Sequence, residues 1–170
     1  SRTEFQRLAE SNPDNPDLAF AIALISLQLN DLRDAEAQLR RALEKGKKDQ
    51  DTVQYYLGQL GEAKENEDEA IAHYREVKGG EHQFAARLRV AYLLNKLGKL
   101  DAAREYLHQP QAANNQQRVQ LMLIEAQLLR EAKRLEDAYQ VLQQGLEKLP
   151  NHPDLLYETA MLADKSGKPD

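Results

Sequence analysis

The side chains of this 170-residue chain best suited to chemistry are four histidines, His73, His82, His108 and His152, and four serines, Ser1, Ser11, Ser26 and Ser166. Serine catalysis needs a hydroxyl held on a sharp turn beside a base, and none of the four serines lies in a nucleophile-elbow context. A helix-borne zinc site needs histidines one turn apart, and no pair is spaced i, i+4. One Glu-x-x-His step exists, Glu105 to His108. Metal bundles bridged by carboxylates need two such steps and two further inward carboxylates, and a second copy is absent from the sequence. The chain has no cysteine, which excludes disulfides, thiolate metal sites and cysteine nucleophiles. Gly58 and Gly61 fall inside a helical pattern and belong to no strand-loop-helix phosphate cradle. The residues therefore predict a protein that is not an enzyme and carries no cofactor and no metal.

Charged residues make up 30% of the chain and the net charge is -5, with no basic, aromatic-lined strip, which argues against nucleic acid as a partner. The most apolar stretch, Ala19 to Leu29, contains Ser26 and Gln28. It is shorter than the roughly 18 residues of a membrane span, so no direct membrane insertion of this segment is expected. The acidic run Glu62 to Glu69 reads as a solvated turn, and Lys45, Lys47 and Lys48 as cations at a helix end. Ser1 to Glu4 leads straight into an amphipathic helix and not a targeting segment, which reads as an excised fragment.

A repeat must position any functional surface. Ala35, Ala70, Ala103 and Ala138 recur in the settings LRDAEAQL, NEDEAIAHY, KLDAAREYL and RLEDAYQVL, at intervals of 35, 33 and 35 residues. That period predicts stacked helical hairpins, each burying the apolar face of its neighbour. Apolar spacing is helical throughout, with Gly, Asn and Pro between the periodic runs and no alternating β-branched run, so the expectation is ten helices and no sheet. Asn15-Pro16-Asp17 caps and starts a helix running to about Leu29, Asn30-Asp31 makes the turn, and a second helix runs from about Leu32 to Lys45, closed by Gly46. Further hairpins run from about Asp51 to Lys78, ended by Gly79-Gly80; from His82 to His108, with a turn at Gly98; and from Gln116 to Lys148. The organisation read from this is one array over 1–170. Complete hairpins cover 16–48, 51–80, 82–113 and 116–150, with a second-helix half-repeat at 1–12 and a first-helix half-repeat at 153–166. Half-repeats at both ends lead to the expectation that more repeats flank the segment in the intact protein.

With Pro16, Asp51, Phe84, Val119 and Pro153 as first positions, the chain resembles a tetratricopeptide repeat array over essentially all of its length. The resemblance implies an all-α, right-handed superhelix (α-solenoid) of antiparallel hairpins. In that family small residues at positions 8, 20 and 27 let helices approach; here these are Ala23, Ala35 and Ala42, then Gly58, Ala70 and Val77, then Ala91 and Ala103, and later Ala126, Ala138 and Gly145. Pro110 occupies position 27 of the third hairpin and is expected to shorten its second helix, leaving Gln111 to Asn115 as an irregular connector. Gly61 stands where the family usually has an aromatic residue, which predicts looser packing there, with bulk supplied by Tyr55 or Tyr56. Three stretches, Tyr56-Leu57-Gly58-Gln59, Tyr74 to Gly80 and Asp154 to Met161, look like those of large proteobacterial tetratricopeptide lipoproteins. That closer likeness implies an adaptor for a periplasmic C-terminal processing protease, with cell-wall hydrolases as the proteins presented to it. It also implies a periplasmic, outer-membrane-anchored location through a lipid anchor outside this segment; a cytoplasmic location is the alternative.

In such arrays positions 2, 5, 9, 12 and 13 of each first helix face the concave surface. They correspond here to Phe20, Leu24, Leu27 and Gln28; Tyr55, Gln59 and Glu62; Leu88, Tyr92, Asn95 and Lys96; Leu123, Gln127 and Arg130; and Tyr157 and Met161. From these the expected partner-binding set is Phe20, Leu24, Gln28, Tyr55, Gln59, Leu88, Tyr92, Asn95, Gln127, Arg130 and Tyr157. Phe20, Leu24, Leu88 and Leu123 equally suit packing between first helices. Rings interleaved with amides suit a peptide or protein segment as ligand. Relatives that grip acidic chaperone tails use Lys, Asn and Arg at these positions, which this chain fills with Phe20, Leu24, Tyr55 and Gln59. The reading is a non-catalytic scaffold or adaptor. The alternatives are the helical regulatory part of a larger enzyme, or a pilus or secretion assembly factor.

Overall fold

The computed structural model describes residues 2–46, 49–109 and 114–166. Among the described residues it is all helix and turn. In chain order the ten helices are α1 (Arg2–Ser11), α2 (Pro16–Gln28), α3 (Leu32–Glu44), α4 (Gln50–Ala63), α5 (Glu67–Arg75), α6 (Gln83–Lys96), α7 (Leu100–Leu107), α8 (Asn115–Glu131), α9 (Leu135–Lys148) and α10 (Pro153–Ser166). Short polar side chains start many of them by accepting from orphan amides. Asn15 accepts from the N–H groups of Asp17 and Leu18, Asp31 from Asp34, Asp49 from Thr52, Asn66 from Glu69 and Asn114 from Gln117.

The four turns inside the hairpins, between α2 and α3, α4 and α5, α6 and α7, and α8 and α9, share one geometry. Asn30, Glu65, Gly98 and Lys133 all take left-handed backbone conformations, with φ of 57°, 57°, 78° and 61°. After each, the next amide reaches back to a carbonyl five residues earlier: Asp31 to Ser26, Asn66 to Gly61, Lys99 to Leu94 and Arg134 to Leu129, at 2.8 to 2.9 Å.

Two helix ends depart from the sequence reading. Helix α5 stops at Arg75 and not at Lys78, because the Lys78 amide leaves the helix to donate to Asp51 at 2.8 Å. Helix α8 begins at Asn115 under the Asn114 cap, so the irregular connector expected to reach Asn115 ends earlier. Helix α7 is eight residues long against fourteen for α9, which agrees with early termination ahead of Pro110. Pro110 itself, residues 111–113, and Lys47 and Lys48 lie outside the described residues.

The chain forms two compact units, Ser1–Leu93 and Leu94–Asp170. In the first, α1 packs on α2, α2 on α3, α3 on α4 and α4 on α5. Its core includes Ala19, Ala23, Ala35, Leu39, Ala42, Val53, Leu57 and Leu60, all buried. In the second, α7 packs on α8, α8 on α9, and α10 on both α8 and α9. Its core includes Val119, Ala126, Leu129, Ala138, Leu142, Leu155 and Leu162. Every small residue singled out by repeat position is buried. At Gly58 a Cβ would lie 2.5 Å from the Tyr74 ring, so the glycine makes room for that ring. At Gly61 the expectation of loose packing is overturned. A Cβ there would sit 2.8 Å from the Ala70 backbone nitrogen, so α4 and α5 approach closely, and the aromatic bulk beside them is Tyr74.

A polar cluster ties α3 to α5. Arg40 bridges Glu36 and Glu69, Lys64 does the same at 3.1 and 3.2 Å, and His73 donates from Nδ1 to Gln54 at 2.8 Å. Burial, and after it the Arg40 charge, hold the His73 imidazole below its usual pKa; Glu69, Glu36 and Glu76 oppose this and do not prevail. The folded chain thus keeps His73 neutral over a range in which the unfolded chain protonates it. Stability contributed here is full above the unfolded value of about 6.5 and is lost as pH falls below it. Urea unfolding at pH 8 and 5.5 is expected to give a smaller pH difference for His73→Gln than for the unmodified chain; equal differences would contradict the assignment.

Candidate interaction surface

Residues three or four apart on a helix share a face, so Phe20, Leu24 and Gln28 form one stripe on α2, Tyr55, Gln59 and Glu62 one on α4, and Leu88 and Tyr92 one on α6. Side-chain contacts link residues of these three helices within the first unit. The Phe20 ring meets Tyr56 edge-on, with centroids 5.6 Å apart. Glu62 receives both the Nε, at 3.1 Å, and the terminal nitrogen of Arg89 from α6, and also accepts from the Tyr74 hydroxyl. The Arg89 guanidinium in turn stands 5.5 Å from the centroid of the Tyr92 ring. Hydrogen bonding to Glu62 holds Arg89 above its ordinary pKa, and burial together with that same carboxylate pushes the Tyr74 phenol up.

The residues expected to bind a partner differ in how free they are. Gln28 and Gln59 are exposed, whereas Phe20, Leu24, Leu88 and Tyr92 are half-buried. Tyr55 is committed to packing on several sides: it stacks on His82 at 4.3 Å with ring planes 8° apart, and its centroid is 5.7 Å from both Tyr56 and Tyr74. In the second unit Asn95 is half-buried, Gln127 donates to Glu131 at 3.0 Å, and Arg130 pairs with Glu158 at 3.2 Å. Tyr157 is 62% exposed beside exposed Leu156 and Met161.

Ser26 and His108, two of the groups weighed for chemistry, serve structural roles. Ser26 is buried and donates to Asp34. His108 does not act with Glu105; its Nε2 donates at 2.7 Å to Glu125, a carboxylate also held by Arg104 at 2.9 Å and only 4% exposed. Among the described residues no group of three His, Asp or Glu is placed to hold a metal ion, and no helix is long and apolar enough to cross a membrane. A cavity of about 390 Å³ opens in the second unit between Leu107, Met122, Glu125 and Val141, where α7 stops short.

A family profile described as the tetratricopeptide repeat matches residues 1–49, 20–86 and 88–153. The chain belongs to the tetratricopeptide repeat family. The TPR repeat-containing protein PA4667 of Pseudomonas aeruginosa is 34% identical over 115 residues, which is 68% of this chain and 20% of that protein. The chain therefore spans about one fifth of that relative's length. The crystal structure of YrrB, described as a TPR protein with an unusual peptide-binding site, is similar with a TM-score of 0.65 at 20% identity, over 100% of this chain and 87% of its own. That likeness shows the fold, and the tetratricopeptide fold is that of protein–protein interaction scaffolds.

In repeat terms, the sequence reading missed Arg89 and Glu158. Both stand at position 6 of a first helix and meet position 12 of the preceding one, Glu62 in one case and Arg130 in the other. The signal was available: opposite charges 27 and 28 residues apart, with the polarity reversed between the two pairs. His82 was read only as a metal-ligand candidate, and nothing in its sequence setting marks it as the stacking partner of Tyr55.

Proposed function

We propose that this tetratricopeptide array is a non-catalytic scaffold that binds a peptide or extended protein segment across its first-helix face. The observation that carries the reading is the Glu62–Arg89 pair, which joins the helix bearing exposed Gln59 to the helix bearing half-buried Leu88 and Tyr92. Rings held in place cost little entropy when they bind, and an exposed amide can satisfy a backbone group of an extended ligand. The peptide-binding site named for YrrB supports the ligand class. The stretches Tyr56 to Gln59, Tyr74 to Gly80 and Asp154 to Met161 support a finer version, in which the whole protein presents cell-wall hydrolases to a C-terminal processing protease in the periplasm. Such a scaffold works by proximity, raising the effective concentration of two bound proteins to about the millimolar range for short connections.

The test is affinity capture from the extract of the source organism on immobilised chain, read by mass spectrometry, with Gln59→Ala/Tyr92→Ala as control. Those two residues are chosen over Tyr55, whose loss would also disturb packing against His82, Tyr56 and Tyr74. The double variant is expected to retain its helicity and to bind its partners about tenfold or more weakly, the cost of losing an anchor ring. Undiminished capture by the folded variant would sink the first-helix-face reading, and recovery of partners other than a protease and hydrolases would sink the finer one.

A further inference from the structure

Resting on that reading, we infer that the ligand of the first-helix face is an electrically neutral segment, aliphatic and aromatic in side chain, and not an acidic or basic tail. In the first unit the two charged side chains that meet between the first helices, Glu62 and Arg89, are matched to each other. Glu62 takes both the Nε and a terminal nitrogen of Arg89, and the guanidinium stands 5.5 Å from the centroid of the Tyr92 ring. The same two repeat positions are matched in the second unit with opposite polarity, Arg130 to Glu158. The pairs are accessible, with 44% of the Arg89 side chain and 22% of Glu62 exposed in one unit, and 29% and 31% for Arg130 and Glu158 in the other. A ligand therefore meets each pair directly, and at each pair it meets a dipole instead of a net charge. A charged ligand group would have to displace a carboxylate already making charge-assisted bonds with Arg89, or leave its own charge partly desolvated without a partner. A neutral segment has neither cost, since its apolar side chains lie on Leu24, Leu88 and Tyr92 and its backbone finds the Gln59 amide.

Panning a randomised dodecapeptide library on the whole chain tests this. The peptides recovered are expected to be enriched in aliphatic and aromatic residues, to be depleted of both Asp/Glu and Lys/Arg, and to bind equally in 50 mM and 500 mM NaCl. Enrichment of acidic or of basic peptides, or affinity that falls steeply with salt, would overturn the inference while leaving the binding face intact. No enrichment, or enrichment untouched by Gln59→Ala/Tyr92→Ala, would overturn the binding-face reading and this inference with it.

Two further variants make the neutralisation itself visible. E62Q keeps an amide oxygen for the Tyr74 hydroxyl but leaves Arg89 uncompensated. It is expected to gain about tenfold in affinity for acidic peptides at low salt, a gain that vanishes at 500 mM NaCl. R89Q should do the converse and admit basic peptides. Circular dichroism confirms that each variant is folded; a folded E62Q and a folded R89Q that both recover only uncharged peptides would show that the pair does not face the ligand.

Discussion

Replacing Tyr74 by alanine is expected to lower the stability of the array by about 3–5 kcal/mol, the range for truncating a large buried ring. The side chain is 1% exposed and fills the space created by Gly58, against which its ring atoms lie too close for any Cβ. Its centroid is 5.7 Å from that of Tyr55, and its hydroxyl is one of three donors on Glu62. Truncation thus leaves a cavity between α4 and α5 and loosens the carboxylate that orients Arg89. Tyr74→Phe separates these contributions. It keeps the ring and leaves Glu62 satisfied by Arg89, so it should cost only about 1 kcal/mol. Urea unfolding followed by circular dichroism reads both values, and a similar loss for Phe and Ala would place the energy in the hydrogen bond instead of the ring.

The second large effect belongs to Glu125, whose side chain is 4% exposed while those of its partners Arg104 and His108 are 25% and 60% exposed. The three groups are not equivalent. Arg104→Met strands most of the charge of a buried carboxylate and is expected to cost about 3 kcal/mol or more, because the lost pairing no longer offsets desolvation. Glu125→Met removes the buried charge and frees Arg104 and His108, side chains that already reach solvent, so it should cost distinctly less, about 1–2 kcal/mol. The double variant is expected to fall nearer to Glu125→Met than to the sum of the two. Equal losses from the two single variants would mean that Glu125 is better solvated than its burial indicates.

Much of the fold was legible because its determinants are local. Alanines at intervals of 35, 33 and 35 residues, the Asn15-Pro16-Asp17 start and the glycines at 46 and 98 are short-range signals for helix register, capping and termination, and the helices follow them. The turns were legible only in part. Asn30 and Gly98 belong to residue types that tolerate left-handed backbone, but Glu65 and Lys133 adopt the same conformation at a cost of about 1–2 kcal/mol each. The returning hydrogen bonds to Gly61 and Leu129, and the packing of the paired helices, impose it. Likewise the end of α5 was misread by three residues because the Lys78 amide is claimed by Asp51, 27 residues earlier in the chain.

What the sequence by itself determined is the number and order of helices, the small residues at their crossings and which stripe of each first helix shares a face, since these depend on 3.6-residue geometry and on a period short enough to read along the chain. The tertiary structure alone decided what that stripe offers. Packing of successive hairpins sets Tyr55 flat against His82, brings Glu62 to Arg89 and Arg130 to Glu158, and buries Glu125 between Arg104 and His108. Each of these encounters joins residues 17 or more positions apart, so their distance, and with it the charge left for a ligand, is created only when helices from successive repeats come to rest on one another.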